Sequence, residues 1–224
     1  MELATLLELL YSARERSRTI SATVYRRYDQ AHELELLKER GLYREPPPIP
    51  PEEGSWANQP AAVQETTTRL WAAWPDRLRW ETAFTKDGVE GMSVGVKDGE
   101  LFWERIGDGE IHTNEGREPR GAMTTAVELL LDPSRLLGDY RFEIGAPTTW
   151  HKRRALEVTA SSRPGARPGI FGPLSDQLAL VVDEDRGVLL RAAVVVDGEE
   201  LSSSEVVELV FDEPIPADLF RPLR

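Results

Sequence analysis

There is no cysteine among the 224 residues, which excludes disulfides, thiolate nucleophiles, iron–sulfur ligation and cysteine zinc sites together. Histidine is scarce: His32, His112 and His151 lie in separate regions, and no HxH or HExxH spacing surrounds them. No metal site and no cofactor are expected from such a set. A G-x-S-x-G elbow and a Walker lysine loop are both missing, and Gly91 to Gly95 lacks the strand-to-helix setting of a dinucleotide fingerprint. Nowhere do eighteen apolar residues follow one another, so no integral membrane helix is expected. Positive charge is also short, with 27 basic against 39 acidic residues and a net charge of −12. That balance opposes phosphate backbones and anionic headgroups, so nucleic acid is not an expected partner.

What is present reads as one globular domain, residues 1–224. Leu3, Leu6, Leu7 and Leu10 fall on one helical face and predict an amphipathic opening helix. Glu2 stands where an export signal carries positive charge, and Glu8, Arg14, Glu15 and Arg16 interrupt the apolar run. The expected location is therefore the cytoplasm. Residues 19–28, rich in β-branched and aromatic types, predict a first strand. Glu33 to Arg40 reads as a short helix stopped by Gly41, and Pro46, Pro47, Pro48, Pro50 and Pro51 then forbid ladder pairing. Together they form a Pro-rich insertion at about 33–62, read either as a stiff linker or as a ligand for a protein partner's aromatic groove.

Strands are predicted at 66–74, 77–86, 91–97 and 100–106, with Asp87-Gly88 and Asp98-Gly99 as hairpin dipeptides. Residues 123–137 read as helical, with Thr124 or Thr125 as cap, Pro133 as a break and Gly138 as a stop. Further strands are predicted at 140–145, 154–160, 177–183, 188–197 and 201–211, with turns at 185–187 and Asp197-Gly198 and a Pro/Gly loop at 161–173.

Within 77–84, Leu78, Trp80, Thr82 and Phe84 alternate with Arg77, Arg79 and Glu81, so an apolar row should share one face of the sheet. Leu78, Trp80 and Phe84 are the core of a candidate ligand-binding set that also takes in Trp74, Trp103 and Phe142; Trp71 is a further contributor. The competing reading is that these aromatics fill the interior. Glu104, Asp108, Glu110 and Glu115 read as a solvated acidic edge, and His151 to Arg154 is a basic run that could hold a carboxylate or phosphate.

Leu70-Trp71 to Trp80 with an internal proline, then Asp98-Gly99-Glu100-Leu101-Phe102-Trp103, and the closing segment 213–220 (EPIPADLF) resemble the LolA/LolB-like lipoprotein-carrier superfamily. The resemblance implies a mainly β fold with a few helices: a curved antiparallel sheet, or half-open β-barrel, with a helical lid over a hydrophobic cavity for lipid or acyl chains. Trp74 stands where that family has an arginine before the proline. An enzyme of pigment metabolism is also known on this fold.

Three functions are consistent with these residues. The first is a cytoplasmic binding protein for an apolar or amphipathic small molecule, which requires a cavity of about 300–1,000 Å³. The second is a cofactor-independent enzyme, for which Tyr25, Arg79 or Glu81 could hold a substrate, although no spacing marks any residue as catalytic. The third is a protein-interaction module using the Pro-rich excursion or a sheet edge.

Overall fold

The computed structural model describes residues 1–43, 63–86, 89–115, 128–165 and 174–221. Helix α1 (Leu3–Tyr11) is followed by a 3₁₀ turn at Ala13–Arg16, strand β1 (Thr19–Tyr28) and helix α2 (Gln30–Glu39). Four strands then run consecutively: β2 (Gln64–Ala73), β3 (Arg77–Lys86), β4 (Val89–Asp98) and β5 (Leu101–Ile106). After the short β6 (His112–Glu115), residues 128–131 are helical and Pro133–Leu136 form a 3₁₀ turn. The chain closes with β7 (Tyr140–Trp150), β8 (Arg153–Ser162), β9 (Gln177–Asp183), β10 (Leu189–Val196), β11 (Glu199–Phe211) and a 3₁₀ turn at Ala217–Phe220.

All the strands belong to one eleven-stranded antiparallel sheet, ordered β6-β5-β4-β3-β2-β1-β11-β10-β9-β8-β7. β6 and β7 are its two free edges, so the sheet is open. On a flat sheet β2 and β7 would lie six strand spacings, about 29 Å, apart. Helix α1 is only about 13.5 Å long, yet it touches β7 while Arg14, just beyond it, lies 4.6 Å over the Trp74 ring at the end of β2. The sheet therefore curls around its helical layer.

One face carries the core. Starting from Ile20, Ala22 and Val24 of β1, cross-strand partners Ala72, Leu70 and Thr68, then Leu78, Trp80 and Thr82, share it. On the other flank the same face continues through Val206, Ala192, Val194, Leu180, Val158 and Phe142. Leu6, Leu9 and Leu10 of α1 and Leu129, Leu130, Leu131 and Leu136 pack against it in one continuous buried cluster. The buried stripe of α1 is thus Leu6, Leu9 and Leu10; Leu7 is partly buried and Leu3 is 46% exposed. Predicted and observed stripes differ by a small rotation, because both satisfy three-and-four spacing.

The outer face has a smaller apolar patch. Val94 and Val96 are buried there, and the Ala217–Phe220 turn docks on β3 and β4 with Phe220 inside. Arg79 holds it by donating from Nη1 to the Leu219 carbonyl at 3.1 Å, while Nη2 pairs with Glu81 at 2.6 Å.

Several boundaries move. The second helix begins at Gln30 instead of 33, because Asp29 caps it by accepting from the His32 backbone N–H. β7 runs to Trp150 instead of stopping at 145, since a register shift between Ile144 and Pro147 accommodates the proline on an edge strand. β6 has no counterpart among the predicted strands. The Pro-rich run 44–62, the Asp87-Gly88 turn, residues 116–127 and 166–173 of the Pro/Gly loop lie outside the described residues.

Candidate functional site

The predicted row on β3 lies on the inner, core-bearing face. Leu78 and Trp80 are buried, and Trp80 stacks on Phe102 of β5 with ring centroids 5.5 Å apart and planes 16° from parallel. Directly opposite Trp80 is Gly95, and opposite Phe84 is Gly91. Each ring covers its glycine so closely that a Cβ on Gly95 would lie 2.0 Å from the Trp80 ring, and one on Gly91 2.4 Å from the Phe84 ring. A small residue across from a large aromatic gives the ring a flat seat on the neighbouring strand. Between these two pairs, Thr68 and Thr82 share a buried hydrogen bond of 2.9 Å.

Phe142 is also on the inner face and buried, but it belongs to the opposite flank of the sheet, paired with Ala160. Trp103 does not join the row. It opposes Val96, whose partner is Arg79, so it shares the outer face with Trp71. Phe102 takes the inner position expected of Trp103, because Asp98 pairs with Leu101 and the register carries Phe102 opposite Lys97 and thence Leu78.

Where the leucine layer is present, the inner face is filled by side chains. It opens beside Trp74. There a crevice of about 270 Å³ is bounded on the sheet side by Trp74, Leu78 and Lys97, and on the helical side by Arg14, Asp132 and Arg135. Arg14 covers the Trp74 ring, donates to the Pro75 carbonyl and lies 4.0 Å from Asp132. Beneath it, Trp74 Nε1 is buried without an acceptor; the only comparable side-chain atom among the described residues is Trp150 Nε1. A buried donor left unmade costs about 1–3 kcal/mol. Lys97 is half-buried and has no ion-pair or hydrogen-bond partner among the described residues. Sequence reasoning missed Lys97 and Arg14: their placement depends on strand register and on the path of the chain after α1.

Toward the far ends of β1 and β2 the inner face turns polar. Arg26 shares a row with Thr66, Ser204 and Phe84, and its guanidinium lies 5.5 Å over the Tyr28 ring. Burial pushes Arg26 down from its ordinary value. Tyr28 donates to Glu33, and burial together with that carboxylate pushes the phenol up. Glu104 opposes His112 on this face; desolvation raises its carboxyl above the usual glutamate range, and His112 partly offsets the rise.

Other sequence candidates do not converge. Three residues of the basic run 151–154 are tied to separate acids: His151 to Glu205 at 3.4 Å, Arg153 to the buried Asp183, and Arg154 to Glu184 at 2.6 Å. Tyr25, Arg79 and Glu81 lie on the outer face, where the neighbouring Glu65 raises the Tyr25 phenol above its ordinary value and the other two pair with each other. Asp108 and Glu110 are exposed, and the Glu115 side chain lies outside the described residues. No group of three or more histidine, aspartate or glutamate side chains among the described residues could hold a metal ion.

The sheet is thus open, curled and antiparallel, with helices packed in its hollow. An open antiparallel sheet with helices against one face is the fold that the LolA/LolB-like resemblance implied. Among solved structures, MucB of Pseudomonas aeruginosa, determined in complex with MucA, matches 96% of this chain at 16% identity with a TM-score of 0.51. The chain spans 59% of that MucB chain. An uncharacterized conserved protein from Thermus thermophilus matches all of this chain and 96% of its own, at 13% identity and a TM-score of 0.50. A LolA superfamily protein from Nitrosomonas europaea covers 99% of this chain at 8% identity, with a TM-score of 0.39. At these identities the likeness to the first two is one of fold. No protein-family model and no curated protein sequence matches the chain.

Proposed function

We propose that this chain is a binding protein for a small amphipathic molecule, which enters the inner face of the sheet at the crevice beside Trp74. The observation that carries the reading is the juxtaposition there of apolar and charged surface. Leu78 leads inward to Trp80 and Phe102, whereas Arg14, Lys97 and Arg135 stand at the rim. A whole ligand site is mostly apolar and about 300–1,000 Å³; this crevice, at about 270 Å³ and with only Trp74, Pro75 and Leu78 apolar among its lining residues, falls short of that and suits the polar end of such a molecule. The leucine layer would have to shift to admit more. It is held largely by side-chain packing, and α1 and the 128–136 segment make few backbone bonds to the sheet. The place of action we propose is the cytoplasm, which fractionation of the source cells tests.

A second reading, a protein-binding module, is supported by the two free sheet edges and by the solved complex of MucB with MucA. Deleting residues 44–54 tests the Pro-rich segment as its docking element.

Native mass spectrometry of the purified chain, followed by solvent extraction, separates the two readings. A stoichiometric released acyl or polycyclic compound supports the first. A clean apo mass, together with indifference to fatty acids and hydrophobic dyes, overturns it and leaves the protein-binding reading.

A further inference from the structure

The charges around the crevice do not cancel. Four cationic side chains, Arg14, Arg77, Lys97 and Arg135, line it against three carboxylates, Asp76, Glu128 and Asp132. Arg14 faces Asp132 at 4.0 Å, Arg135 faces Glu128 at 3.8 Å, and Arg77 is paired outward with Asp98 at 3.0 Å. Asp76 sits in the exposed turn between β2 and β3. Among the described residues Lys97 is left as the unpaired cation, and its position is unusual. It projects from the inner face, with Leu78 opposite it on one neighbouring strand and the buried Phe102 on the other. Lys97 lines the crevice, a boundary at which an amphipathic side chain lays its stem along apolar surface and keeps its charge toward water. Trp74 lines the same crevice, and its Nε1 is a buried donor with no acceptor among the described residues, with the Arg14 guanidinium over its ring.

The geometry points to an anionic ligand head. Resting on the reading of the crevice as a ligand entrance, we infer that the bound molecule presents a carboxylate or phosphate monoester to Lys97, with Arg14 and the Trp74 indole N–H as further donors and its apolar tail directed past Leu78. A cationic or uncharged head would leave Lys97 without a counter-ion in a half-buried setting.

The test is isothermal titration of the full chain with four twelve-carbon compounds: dodecanoate, dodecyl phosphate, dodecanol and dodecyltrimethylammonium. The two anions should bind at least ten-fold more tightly than dodecanol and the cation, and their order tells carboxylate from phosphate. Lys97→Gln should bring the anions down to that variant's own affinity for dodecanol, Lys97→Arg should retain most of the preference, and melting curves confirm that both variants fold. Equal binding of dodecanol and dodecanoate, or an anion affinity unmoved by Lys97→Gln, overturns this inference while leaving the binding reading in place. If none of the four compounds binds, the amphipathic-ligand reading falls, and this inference with it.

Discussion

Gly95→Ala tests the packing of the inner face at its tightest point. The new Cβ would lie 2.0 Å from the Trp80 ring, far inside van der Waals contact. Trp80 cannot swing freely away, because it is 4% exposed, stacks on Phe102 and lies among buried neighbours. Gly95 has no positive φ, so backbone strain contributes nothing, and alanine even removes some of glycine's entropy disadvantage. The overpacking cost of about 1–3 kcal/mol is thus the whole expected effect. In a domain of this size that corresponds to a fall in Tm of about 2–12 °C. Shortening the ring should relieve the clash: in urea melts, Gly95→Ala combined with Trp80→Leu should show a favourable coupling of at least about 0.5 kcal/mol relative to the two single variants. A Gly95→Ala protein within about 0.5 kcal/mol of the parent, with additive behaviour in the double variant, would refute the assignment of Trp80 and Gly95 to facing positions.

Three further outcomes follow from particular contacts. Thr82→Val should cost about 1–3 kcal/mol in urea melts by stranding the buried Thr68 hydroxyl, whereas Thr68→Val with Thr82→Val should come close to neutral. The two-residue turn joining β7 and β8 places His151 at φ 44° and Lys152 at φ 68°. Asn-Gly tolerates both values, so His151→Asn with Lys152→Gly should raise thermal stability by about 1 kcal/mol. Desolvation raises the Glu104 carboxyl in the folded state, so its stabilising contribution is present at acid pH and lost as pH rises through that raised value. Glu104→Gln should therefore stabilise the chain at pH 7 by less than about 1 kcal/mol, given its partial exposure; the gain should shrink in melts under acid conditions.

Much of the fold was legible because local signals agreed with the tertiary result. β1 and β3 occupy the predicted spans, since alternation and β-branched content coincide with a half-buried sheet. The Asp98-Gly99 and Asp197-Gly198 turns appear as read, with positive φ at Gly99, Asp197 and Gly198. The remainder depended on information that residue type does not carry. β6 was missed because four polar residues pair only by virtue of lying beside β5. Trp103 and Phe102 are adjacent aromatics of similar apolarity, and pattern alone does not choose between them. The turn register chooses Phe102, and by the same count it places Lys97 inside. A lysine opposite Leu78 conflicts with simple apolar alternation, which is why the crevice was invisible in the sequence. Proximity of Arg14 to Trp74 arises only when the sheet curls around α1.

The central claim, that an amphipathic ligand enters at Trp74, can be tested most directly with the indole N–H signals of the chain's six tryptophans. Each would be assigned by single substitution to phenylalanine and followed in ¹⁵N–¹H spectra as dodecanoate is added. The account predicts a saturable shift of the Trp74 signal, a smaller one for Trp80, and none for Trp71 and Trp103 on the outer face. A response confined to Trp103 or Trp71, or no response at a concentration where the compound saturates the chain, would contradict it.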